Sequence, residues 1–164
     1  MHCSTMKGRS SFRRHGTIVF DLLLILTAGV TVAAAVTPPR EKPTDESALA
    51  QNVQVLRSAL DLYQTEHNGE WPQANGAVTV SNLLVQYSNI EGTIVSNQKD
   101  VQRGVIYGPY LRTIPPLTVG QRRGSTGIAA AGAAGIGWIY NSKTGDLRAN
   151  SLGKDASGKP YAEY

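Results

Sequence analysis

The chain has 164 residues, 16 Lys and Arg against 12 Asp and Glu, a formal charge of +4, and 41% hydrophobic residues. That length favours a single domain, and that composition excludes a disordered or strongly acidic chain. A lone cysteine, Cys3, excludes an intramolecular disulfide and any cysteine-based zinc site.

The positive charge is concentrated at one end. Lys7, Arg9, Arg13 and Arg14 stand in the first 16 residues, which hold no acid; from Thr17 onward the remaining 12 bases meet 12 acids. A neutral remainder with dispersed charge argues against a nucleic-acid partner. Ile18 to Val36 follows, a mostly apolar stretch of 19 residues whose one charged member is Asp21. As a helix it would be roughly 28 Å long, close to the hydrocarbon thickness of a bilayer. Basic residues before it place the N-terminus in the cytoplasm and everything after Pro38-Pro39 outside. Three readings fit this segment. One is a secretory signal cut near Ala35, in the Ala33-Ala34-Ala35 run, and another is an uncleaved signal anchor; with either, the chain would be an exported single-domain binding or adaptor protein. The third gives Asp21 a purpose, since a carboxylate in an apolar helix costs a few kcal/mol and marks a function or a partner.

Arg13-Arg14-His15-Gly16, followed by Thr17-Ile18-Val19-Phe20-Asp21-Leu22-Leu23-Leu24-Ile25, resembles the leader of type IV pilins and type II secretion pseudopilins. The resemblance implies that a prepilin peptidase cuts after Gly16 and leaves Thr17 as the mature N-terminus, the residue that is N-methylated in the family. Asp21 is then the fifth mature residue, where the family carries an acid, and Pro38 the twenty-second, where proline is common. Thr17 and Asp21 depart from the usual Phe and Glu. In an assembled filament the Asp21 carboxylate of one subunit would pair with the Thr17 amine of its neighbour, each compensating a charge otherwise buried alone. The implied partners are other pilin-like subunits, the prepilin peptidase, an inner-membrane assembly platform and membrane lipid. The implied location is the bacterial inner membrane, with the head in the periplasm until the subunit is extracted into a filament.

Pro38-Pro39 kink or interrupt the helix. A second helix is expected from Thr44 as N-cap, with Asp45 and Glu46 in its first turn. Leu49, Val53, Leu56, Leu60 and Tyr63 then form one face, flanked by Val55, Ala59 and Leu62, and Gly69 is the expected stop. That face is expected to pack on a sheet. Leu56-Arg57-Ser58-Ala59-Leu60-Asp61-Leu62-Tyr63 to Asn68-Gly69-Glu70-Trp71-Pro72 also resembles a pseudopilin helix ending in Ala-Leu-x-x-Tyr followed by Gly-x-Tyr/Trp-Pro.

Further along, Ser81 to Tyr87 reads as a short helix capped by Ser81, and Ile90 to Val105 as loop with some extended structure. Gly108 to Pro116 resembles the family's Gly-Pro-Tyr-Leu-x-x-Ile-Pro segment, with Pro115 and Pro116 ending any strand before them. Gly120 to Gly137, rich in Gly, Ala and Ser, reads as a flexible loop. Trp138-Ile139-Tyr140-Asn141 and Asp146-Leu147-Arg148-Ala149-Asn150 read as a β-hairpin turning at Gly145, with Trp138 and Tyr140 facing the helix stripe. With Gly137 in front, this pair also resembles the family's Gly-Trp-x-Tyr block.

The expected fold is therefore α+β and pilin-like: a long N-terminal helix, kinked at Pro38-Pro39, packed on a small antiparallel sheet. Residues 1–16 are the leader, 17–37 the membrane and assembly helix, 38–150 the head, and 151–164 a flexible tail. No catalytic constellation stands out. His2 and His15 fall in the leader, and His67, in the last turn of its helix, reads as a surface residue complementing the helix dipole. Asp146, Asn150 and Asp155 could offer oxygens to calcium, but without the spacing of a dense ligand loop. The reading is a non-enzyme with no metal or cofactor.

Overall fold

The computed structural model describes residues 44–164, which form a mixed α+β head. The proposed processing and assembly residues Gly16, Thr17, Asp21 and Pro38 lie outside the described residues, as do the leader and the apolar segment.

Helix α1 spans Asp45–Glu66, with Thr44 as its cap. The Thr44 hydroxyl accepts the Ser47 amide at 3.2 Å, and Asp45 and Glu46 sit at the positive end of the helix dipole. The expected face is buried: Leu49, Val53, Leu56, Leu60 and Tyr63, joined by Ala59. Its other flanking residues, Val55 and Leu62, remain about half exposed at 47% and 48%, because the stripe is only as wide as the surface it covers. The helix stops where Asn68 takes a left-handed conformation, φ 56°, ahead of Gly69, whose amide caps the Gln64 carbonyl at 2.9 Å.

Helix α2 is Val80–Val85, and its cap is Thr79, not Ser81. Asn82 explains the shift. Its amide donates to the Thr79 hydroxyl at 3.1 Å while its side-chain oxygen accepts the Thr79 amide at 3.0 Å, a reciprocal cap that Ser81 cannot form with the same partner. Starting there also brings Val80, Leu83 and Leu84 into the core. A two-stranded antiparallel ladder follows, β1 (Tyr87–Ser88) with β2 (Val95–Ser96).

Residues 110–118 run back along α1 as an irregular strap. The Tyr110 hydroxyl donates to Glu66 at 2.8 Å, the Asn52 side chain to the Pro116 carbonyl at 3.0 Å, and the Thr118 hydroxyl to the Asp45 carbonyl at 2.7 Å. Pro115 and Pro116, lacking amide protons, suit a segment that joins no ladder.

The second sheet has the order β3 (Gly127–Ala129), β4 (Ile136–Tyr140), β5 (Leu147–Ala149). The expected hairpin is present, pairing Trp138 with Ala149 and Tyr140 with Leu147, and both aromatic side chains join the α1 stripe in the core. Two expectations change here. The sheet is mixed, since β3 runs parallel to β4, and part of the 120–137 segment is a strand. Its glycines permit close approach: a Cβ on Gly137 would collide with the Ser125 carbonyl oxygen, and one on Gly127 would lie 2.7 Å from that of Gly135. A composition that reads as flexible is here a requirement for backbone contact.

Residues 151–164, expected as a flexible tail, instead fold back on the head. Asp155 gathers a turn by accepting the amides of Ser157 at 2.8 Å and Lys159 at 2.9 Å. Tyr161 and Tyr164 pack against the core, and Arg57 donates to the Tyr164 carbonyl at 2.7 Å. Two tyrosines and side-chain-to-backbone bonds make this contact, so no hydrophobic period announces it. Among the described residues no helix is long and apolar enough to cross a membrane.

Candidate functional site

The C-terminal end of α1 opens onto a cleft of about 480 Å³. It is lined by Tyr63 and His67 from the end of α1, by Glu70 and Trp71 from the segment that follows, and by the Ile90–Thr93 turn. Asn89 builds that turn. Its side-chain oxygen accepts the amides of Thr93 at 2.9 Å and Ile94 at 2.8 Å, and its amide group donates to Glu91 at 2.6 Å. Gly92, at φ 65°, lets the turn close on α1, since a Cβ there would collide with the Tyr63 hydroxyl. Trp71 is positioned by a second glycine: a Cβ on Gly145 would lie 2.5 Å from the indole ring.

His67 is the main departure from the sequence reading. It is buried at 2% exposure, not a surface residue, and its ring stacks on Tyr63 with centroids 3.7 Å apart. As the C-cap residue it turns its side chain inward, beneath the Ile90 turn. Nδ1 lies 2.7 Å from the Ile90 carbonyl, which can only accept, so the proton is assigned to Nδ1. Nε2 then faces the Ser88 hydroxyl at 3.3 Å and the Tyr110 hydroxyl at 3.1 Å. The single Tyr110 proton is shared between two acceptors, His67 and Glu66. Ser88 is completely buried, so its contact with His67 braces the fold and meets no solvent-borne substrate.

Burial holds the His67 imidazole below its ordinary range; the Ile90 carbonyl and the charges of Glu66 and Glu91 offset this only in part. Burial also pushes the Tyr63 phenol up to about 12. The histidine shift makes a pH prediction. A folded-state value below the unfolded one, about 6.5, gives a contribution to stability that is complete above the unfolded value. It is lost as the pH falls towards the folded-state value, because only the unfolded chain readily takes the proton. Urea midpoints should therefore drop between about pH 7.5 and pH 5.5, with a slope of at most about 1.4 kcal/mol per pH unit. His67→Gln should flatten the slope over that window. An unchanged slope in the variant would assign the titration to another group.

The residues considered for calcium do not converge. The Asn150 side chain donates to the Ile136 carbonyl at 2.7 Å, Asp146 accepts the Thr144 hydroxyl at 2.5 Å, and Asp155 is occupied by its own turn and by the Tyr164 hydroxyl at 2.6 Å. Among the described residues no three His, Cys, Asp or Glu side chains cluster as a metal site. The Tyr140 hydroxyl is a different case: buried without a hydrogen-bond partner among the described residues, it is held by burial well above the ordinary phenol range.

Sequence spacing missed the cleft because its parts come from two segments about 20 residues apart: the block from Leu56 to Pro72 carries Tyr63, Glu70 and Trp71, but nothing in it announces the Ile90–Thr93 turn that faces them. Asn89 and Gly92 were the available signal, an amide and a glycine framing a turn. No family model, curated protein or solved structure matches this chain.

Proposed function

We propose that the protein is a filament subunit of a type II secretion or type IV pilus-like machine, a pilin-like α+β head on an N-terminal assembly helix. The observation that carries this reading is the leader: Gly16 before Thr17, an acid fifth from the cut at Asp21, and an apolar stretch running to Pro38. The head supports it in kind, since a capped helix beginning at Thr44, six residues after Pro38, buries one face against a small sheet carrying Trp138 and Tyr140. In this reading the apolar helix keeps the subunit in the inner membrane until an assembly platform extracts it. Packing between helices then replaces lipid around the same residues.

The mature N-terminus is the test. Intact-mass measurement of the protein purified from membranes of a host with a prepilin peptidase should give a chain that starts at Thr17. A start at Val36 would make it a secreted protein and an intact Met1 a simple anchor, and either result rejects the filament reading.

A further inference from the structure

The cleft at the C-terminal end of α1 holds a polar atom without a partner. Tyr63 lines it and is only 3% exposed, yet its hydroxyl makes no hydrogen bond among the described residues. Burial is the one influence on its acidity, whereas the bonded phenol of Tyr110 also feels its partner Glu66. Nor is the hydroxyl sealed in the core like that of Tyr140. It sits against Gly92, itself a cleft residue, where a Cβ would collide with it. An unmade hydrogen bond at a buried hydroxyl is costly, so this one is left for a group that enters the cleft. The charge around it has one sign. Glu70 and Glu91 line the cleft, with no Lys or Arg. No base lies in the last turn of α1, so the negative end of the helix dipole is unopposed there. His67 is kept neutral at pH 7 by burial, and both its ring nitrogens are already bonded.

We propose that the cleft binds an organic cation, a guanidinium or ammonium group, whose N–H groups donate to Glu70, Glu91 and the Tyr63 hydroxyl beside Trp71. Such a group pairs with carboxylates and packs on aromatic rings. Trp71, half-buried, supplies the ring, with the Gly145 turn packed against it. A metal ion fits the donors less well. Calcium takes about six to eight oxygens, and among the described residues no three His, Cys, Asp or Glu side chains cluster. The volume of about 480 Å³ is that of a small-molecule site. Asn89 holds Glu91 in place beforehand, so little ordering is needed on binding. Two exposed carboxylates would attract a cation only weakly. The buried hydroxyl and the indole ring are what turn that attraction into a site. The inference is independent of the filament reading, since every residue it uses lies in the head.

Calorimetric titration of the detergent-solubilised full chain at neutral pH and low salt tests it. The probes are N-acetylarginine amide and N-acetylcitrulline amide, which match in size and differ in the charged group. The arginine compound should bind with a Kd of about 1 mM or tighter, and the citrulline compound at least about tenfold more weakly. Added salt should weaken the first and leave the second unchanged. Glu70→Gln/Glu91→Gln should lower affinity for the arginine compound at least about tenfold, and Tyr63→Phe about fivefold or more. Equal binding of the two probes, no binding of the arginine compound, or undiminished binding by both variants would overturn the proposal. So would calcium or maltose binding more tightly than the arginine compound. Thermal melts check that the variants are folded. If the double variant melts early, Tyr63→Phe carries the test alone, because it keeps the ring that stacks on His67 and removes only the hydroxyl; undiminished binding would then overturn the site. A blocked pentapeptide with arginine at its centre separates the two sources of the group. Tighter binding than the single residue assigns the cleft to a protein side chain, and weaker binding assigns it to a free small molecule; the cation site stands with either.

Discussion

Trp138→Ala should remove about 3–5 kcal/mol of folding stability, the usual range for truncating a fully buried aromatic side chain. Trp138 has no exposed surface, lies where β4 meets the α1 stripe, and donates its ring N–H to the Pro115 carbonyl at 2.9 Å. Truncation therefore opens a cavity and orphans the carbonyl that ties the 110–118 strap to the sheet. Domains of this size are held by about 5–15 kcal/mol, so the variant should be partly unfolded at 37 °C. Trp138→Phe keeps most of the packing and loses the hydrogen bond, and should cost only about 1–3 kcal/mol. Urea titration followed by far-UV circular dichroism separates the two. A Trp138→Ala midpoint close to the parent would mean that the core is not organised around this ring.

On the proposed filament reading, Asp21→Ala should leave cleavage after Gly16 intact and abolish incorporation into filaments. If the carboxylate pairs with the Thr17 amine of a neighbour, removing it leaves that amine buried and unpaired, at a cost of about 3–5 kcal/mol per contact. At 1.4 kcal/mol per factor of ten, incorporation should fall by at least about a hundredfold. Asp21→Glu keeps the charge and should retain assembly. Sheared-filament fractions compared with membrane fractions give the readout. Normal incorporation of a correctly cleaved Asp21→Ala subunit would rule out the pairing.

Local rules reached furthest where one residue type has one strong use. Thr44 with Asp45 and Glu46 marks a helix start, and apolar residues spaced three and four apart mark the face that the helix buries. Gly145 between alternating strands marks a hairpin. The same rules misplaced the α2 cap, because Thr79 and Ser81 are both good caps and only Asn82 decides between them. They missed β3 because Gly and Ala look alike whether a segment is loose or pressed against its neighbour. They set His67 on the surface because the helix dipole is a local argument, whereas its burial depends on the Ile90 turn and on Tyr110, both distant in sequence.

The net charge shows the same division. That the +4 belongs to the first 16 residues, and that the remainder is neutral, follows from counting residues along the chain. How the ten acids and ten bases of residues 44–164 are arranged in space does not. The Glu91 turn meets the end of α1 and the Arg123 turn meets its beginning through the tertiary fold, not through neighbours in sequence. Helix starts and apolar faces depend on neighbours within a few residues, which the chain order supplies. The cleft, the buried histidine and the folded-back C-terminus depend on contacts across 20 to 100 residues, and packing alone selects those.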